Sequence, residues 1–110
     1  MNGKQSPYLV TNNQSIMEQK IQLRHPAGKH AVRMDKARYD ILRKAILRSL
    51  KGDELTHTEL YKAVLADFKR TKTKFEGAVE WYMESVKLDL EATKAIERIA
   101  GRPPIWKIAK

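Results

Sequence analysis

Pro103-Pro104 excludes a helix from the C-terminal stretch of this chain, and the hydrophobic period changes a few residues upstream of it. Val79, Tyr82, Met83, Val86 and Leu90 recur at three- and four-residue steps, so they share one helix face. After Ala92 the period falls to two. Ala95-Ile-Glu-Arg-Ile99 reads as a short strand, and Ile105, Lys107 and Ala109 alternate with Trp106 and Ile108. Gly101 to Pro104 supplies the turn between them. A helix therefore runs directly into a two-stranded hairpin, and the upstream chain has to pack against that unit.

Two further helices are legible. Asp35 to Lys51 carries an inward stripe of Ala37/Arg38, Ile41, Leu42, Ala45, Ile46, Ser49 and Leu50. Asp35 is its expected N-cap, and Gly52 is its stop. Leu47 falls among the outward Lys36, Asp40, Arg43, Lys44, Arg48 and Lys51. Thr56 to Phe68 opens with a capping box, Thr56-His57-Thr58-Glu59, preceded by Leu55 as a staple onto Leu60. Its expected buried face is Leu60, Tyr61, Val64, Leu65 and Phe68. A second capping box is expected at Thr73-Lys74-Phe75-Glu76, with the third helix starting there or at Gly77. That helix has a second apolar strip, Ala78, Trp81, Ser85, Leu88 and Ala92, opposite the first, so it should be sandwiched. Glu80, Glu84, Lys87, Glu91 and Lys94 are left for solvent. Near the start, Ile21 and Leu23 alternate with polar residues, the signal of an edge strand or extended arm ended by Pro26 and Gly28. Residues 1–16 show no period and read as a flexible extension. The expected architecture is one α+β domain, mainly α, over residues 17–110: a winged helix-turn-helix with a three-helix core plus a C-terminal two-stranded β wing.

Charge narrows the function classes. The 110 residues hold 22 basic and 13 acidic side chains, a net charge of +9 that favours polyanions. The excess is uneven: residues 35–52 carry +4 and 95–110 carry +3, whereas 73–94 carry −2. With no cysteine, disulfides and thiolate metal sites are excluded, which fits a cytoplasmic chain. No apolar run approaches the roughly 20 residues of a membrane span, and no signal-peptide core is visible.

Leu88-Asp-Leu-Glu-Ala-Thr-Lys-Ala-Ile-Glu-Arg98 resembles the end of the recognition helix and first wing strand of bacterial winged-helix repressors, whose common wording is Leu-Glu-x-x-Gly-Leu-Ile-x-Arg. Lys94 stands where those repressors have Gly, at a position that usually needs a left-handed backbone. A wider set, Arg24-His-Pro, Gly28-Lys, Val32-Arg-Met-Asp-Lys, Tyr39-Asp, Trp81-Tyr and Val86-Lys-Leu-Asp-Leu-Glu-Ala, resembles an uncharacterised bacterial family of small winged-helix-like proteins. That resemblance spans about residues 17–110. It implies the fold, a cytoplasmic location and a regulatory role, and it implies no ligand or catalytic residue.

The candidate site follows from the fold and the charge. Lys69, Arg70, Lys72 and Lys74 before the third helix, and Arg98, Arg102 and Lys107 on the wing, are placed to touch the phosphates of duplex DNA. Glu80, Glu84 and Glu91 would repel phosphates, so base reading by the third helix should be limited. The alternative is a protein-interaction or homodimerisation module using Leu47, Glu80 and Glu84. Trp81 and Tyr82 are expected in the core. His25, His30 and His57 lack zinc-ligand spacing, and no nucleophile–base pair or Gly-rich phosphate loop is present. No enzyme, metal or cofactor is expected.

Overall fold

A computed structural model describes residues 19–110. The extension expected over residues 1–16 lies outside the described residues. The described residues form an α+β structure with three helices and two small antiparallel sheets, about half of it helical.

The arm contains two strands. β1 (Lys20–Gln22) pairs antiparallel with β2 (Arg33–Asp35), setting Ile21 opposite Met34. β2 was not foreseen, because three residues carry too little pattern to announce a strand. Its pairing buries Met34, while Leu23 just beyond β1 joins the same core. α1 (Lys36–Leu50) follows at once. Asp35 is its N-cap but bonds no helix amide with its side chain. Lys20 and Arg38 hold that carboxylate instead, with the Lys20 hydrogen bond chiefly responsible for lowering its pKa. Gly52, at φ 79°, takes the chain out of α1.

β3 (Leu55–Thr56) leads into α2 (His57–Thr71). The capping box forms as the sequence indicates: Thr56 Oγ1 accepts from Glu59 N, and the Glu59 carboxylate accepts from Thr56 N. α2 runs past Phe68, so Lys69 and Arg70 belong to its last turn rather than to a connector. α3 (Val79–Ala92) begins later than expected, and Thr73-Lys74-Phe75-Glu76 caps no helix. The Phe75 ring stacks on Phe68 at 5.8 Å and meets Tyr82 edge-on at 5.5 Å. Drawing Phe75 inward keeps the connector extended. Gly77, at φ 114°, is pressed so close to Tyr82 that a Cβ there would lie 2.7 Å from the ring.

β4 (Ile96–Ile99) and β5 (Ile105–Ile108) form the expected hairpin. The sheet has three strands rather than two, in the order β3-β5-β4, because Leu55 and Thr56 pair with Trp106 and Ile105. Between α3 and β4 the chain turns through Lys94 at φ 69°, the left-handed conformation expected of that position.

The core gathers Tyr39, Leu42, Ile46 and Leu50 of α1, Leu60, Val64 and Phe68 of α2, and Met83, Val86 and Leu90 of α3, closed by Ile96 and Trp106. Val79 packs against it only partly buried. Ala37 and Ala78, expected on apolar faces, are exposed, and the expectations for four larger side chains also need correction. Leu65 is 40% exposed, lying more than a quarter turn round α2 from the centre of its buried face. Leu47 packs partly against the core instead of standing free. Lys87, assigned to the solvent stripe, is buried. Trp81, assigned to the core, is 54% exposed. The arm explains this last reversal. It lines a pocket with Ser85 and Leu88 and is tied down where Arg24 N donates to Asp89 at 2.8 Å, so the described residues leave the outer side of the first turn of α3 uncovered.

Candidate functional site

The seven candidate phosphate-contacting residues fall into two groups. Four lie at the end of α2. Val64 and Phe68 hold its inner side in the core, and Asp67, between them on the same side, is only 2% exposed. Arg48 of α1 grips Asp67 with two hydrogen bonds, of 3.0 and 2.7 Å, and Arg70 donates to it from the next turn. Hydrogen bonds and charge from these arginines, Arg48 first, hold the Asp67 carboxyl below its ordinary range despite burial. Two guanidinium groups over one carboxylate leave a local positive surplus. Lys69, Lys72 and Lys74 extend it, are exposed, and pair with no carboxylate among the described residues. Lys72 sits at φ 56° and ends α2, with Thr73 N reaching back to Phe68 O at 2.8 Å.

The second group lies on the hairpin. Arg98 and Arg102 are exposed and likewise pair with no carboxylate among the described residues. Lys107 is less available, being half-buried and 3.5 Å from Glu97 across the strand pair.

The outward side of α3 has the opposite sign. Glu80 takes a 3.0 Å contact from His57 Nε2, and Glu84 an ion pair of 2.8 Å from Lys87 Nζ. Lys87 also donates to His57 Nδ1 at 2.9 Å, which assigns the imidazole proton to Nε2, facing Glu80. The Lys87 ammonium stands 3.6 Å from the centre of the Trp106 ring, whose Nε1 donates to Glu91 at 3.2 Å. Burial lowers the Lys87 pKa, with Glu84 acting against the shift. Both ring nitrogens of His57 and the amine of Lys87 are thus already engaged at the junction of α2, α3 and β5.

Sequence reasoning passed over Asp67 and Asp89 as structural residues and put Lys87 on the wrong face. Spacing carried the missing signal. Lys87 is four residues after Met83 and three before Leu90, so it shares their buried side. Asp89 accepts from the Tyr39 hydroxyl at 2.6 Å, ties the arm to α3 and raises the Tyr39 pKa together with burial, which is the larger cause. Of the other histidines, His25 accepts through Nδ1 from Ala27 N at 3.0 Å, a loop contact. Among the described residues, no group of three potential ligands could hold a metal ion.

Searches of curated proteins and of solved structures return no match. A family model does match, over residues 20–106, from the first paired strand of the arm to the tryptophan that closes the core. The chain therefore belongs to the family of unknown function DUF6958.

Proposed function

We propose that this chain is a winged helix-turn-helix module that binds duplex DNA weakly, mostly through phosphates, in the bacterial cytoplasm. The element order from α1 onward supports the winged-helix reading: helix, strand, helix, helix, then a hairpin whose second strand pairs with the first strand. The connector between α2 and α3 is longer than the three or four residues of a tight helix-turn-helix, so the two helices are set by aromatic packing instead. No helix is long and apolar enough to cross a membrane among the described residues.

One observation carries the DNA reading. Lys69, Lys72, Lys74, Arg98 and Arg102 are exposed without an acidic partner among the described residues, on a chain of net charge +9. Cations left unpaired in this way release counterions from DNA when they meet phosphates, which gives affinity that falls steeply with salt. The carboxylates of α3 keep that helix from reading bases, so discrimination between sequences is slight.

Equilibrium titration of a random duplex at two salt concentrations tests this. Replacing Lys69, Lys72 and Lys74 by Ala should weaken binding to all duplexes alike and lower the salt slope by up to ~3 units. Arg98→Ala with Arg102→Ala should lower it by up to ~2 units. Absence of wild-type binding at low salt would end the DNA reading.

A further inference from the structure

Trp81 is the largest apolar side chain exposed on α3, and nothing among the described residues covers it. It is 54% exposed and meets Tyr82 edge-on at 4.9 Å. Tyr82 is itself fixed by Phe75 and by Arg38, whose guanidinium stands 5.2 Å from the centre of its ring. Trp81 therefore projects from a braced base. It borders an open groove of about 650 Å³ whose other walls include Glu80, Glu84 and Trp106. An aromatic ring braced from behind and left in water is the kind of anchor that dominates protein interfaces.

The charge around the ring selects the occupant. Glu80 and Glu84 are about half exposed, at 57% and 47%. Each has one oxygen engaged by His57 or Lys87 and keeps acceptor capacity for a further donor. Lys87 brings positive charge to the groove but is buried and committed to Glu84, His57 and Trp106. Phosphates would be repelled here, although the rest of the chain attracts them. A guanidinium suits the groove on both counts. It stacks on an indole face, and its planar fork matches a carboxylate.

We propose that the Trp81 face of α3 is a docking surface for an arginine-bearing segment of a partner protein, one guanidinium stacking on Trp81 and hydrogen-bonding to Glu80 or Glu84. The proposal uses none of the residues proposed for phosphate contact and does not depend on DNA binding.

The test is titration of the full chain with a short arginine-rich peptide lacking aromatic residues, followed by calorimetry and tryptophan emission. Wild type should bind saturably with a change in emission. Trp81→Ala, whose thermal unfolding should match wild type because the ring is exposed, should weaken binding about three- to fivefold and abolish the emission change. Glu80→Gln should weaken it about twofold, which separates charge from ring loss. A glutamate-rich peptide of equal length should leave emission unchanged. Equal peptide affinity in Trp81→Ala and wild type would overturn the proposal. So would an emission change on adding duplex DNA that Trp81→Ala abolishes. A dimer in solution lost on Trp81→Ala would overturn it too, assigning the face to a second copy of the chain.

Discussion

At the end of α2 a buried carboxylate, Asp67, lies beneath two arginines. On α3 a buried ammonium, Lys87, lies beneath Glu84 and beside the His57 imidazole. Each is 2% exposed. The outer surfaces consequently have opposite signs, since a charge withdrawn from water collects counter-charges at its rim. The two sites differ in how well the charge is satisfied. Arg48 and Arg70 together give Asp67 three hydrogen bonds, and its charged form is favoured over that of a free carboxylate. Lys87 has one half-exposed glutamate, an imidazole and an aromatic face, and desolvation outweighs them. Solvent exposure is the same, but Lys87 lies deeper among protein atoms than Asp67, so a larger desolvation cost meets fewer charged partners there.

The largest expected effect tests the well-satisfied side. Asp67→Ala should cost about 2–3 kcal/mol in urea unfolding, since it removes a carboxylate that two arginines share. Little change would place the stability of this region in apolar packing alone. The pH dependence sharpens the point. A folded pKa below the ordinary 3.8 means that the Asp67 contribution is complete above that value and is lost as pH falls through the folded one. In Asp67→Asn the decline of stability on the acid side should be shallower than in wild type. For Lys87 the sign reverses. Its folded pKa lies below the ordinary 10.5, so its charge costs stability at neutral pH, and that cost is relieved as pH rises from the folded value to the ordinary one.

A second pair of substitutions compares how the two helices end. Both stop on a left-handed lysine, Lys72 at φ 56° and Lys94 at φ 69°, each followed by an amide that reaches back to the last helical turn. Lys72→Gly and Lys94→Gly should each raise stability by up to about 1 kcal/mol by removing side-chain strain. Only Lys72→Gly should also weaken DNA binding, because Lys72 belongs to the proposed phosphate surface and Lys94 does not. Equal losses of DNA affinity in the two variants would erase that distinction.

The smallest expected effect is the most telling for the comparison. Lys87→Met keeps the length of the side chain and removes the poorly compensated charge, and the half-exposed Glu84 must then turn its buried Oε1 to water. Unfolding free energy should stay within about 1 kcal/mol of wild type, in either direction. A loss above about 3 kcal/mol would make the Lys87 ion pair a net stabiliser and abolish the contrast with Asp67.

Local pattern was enough for much of the fold. The three helices follow from their apolar periods, the start of α2 from Thr56 and Glu59, and the hairpin from the period change before Pro103-Pro104. Of the residues placed on those inner faces, Leu42, Ile46, Leu50, Leu60, Val64, Phe68, Met83, Val86 and Leu90 are buried, and Val79 is partly so. The candidate site was legible as residue types but not as an arrangement. Nothing local says that Arg48, nineteen residues away, will share Asp67 with Arg70. Nor does local pattern reveal that Lys107 is drawn towards Glu97 across the hairpin.

By itself, the sequence determined which segments are helical, where α2 begins, that the chain ends in a hairpin, and that its charge is strongly positive. These depend on side-chain spacing and on proline and capping chemistry, which act over a few residues. Tertiary structure decided which of the two apolar strips of α3 would be covered, and hence that Trp81 is exposed. A helical period shows only that two strips exist. The core covered one, and an arm tied to Asp89 reached only the later turns of the other. β2 has the same origin, because a three-residue strand exists only through the backbone bonds that β1 supplies.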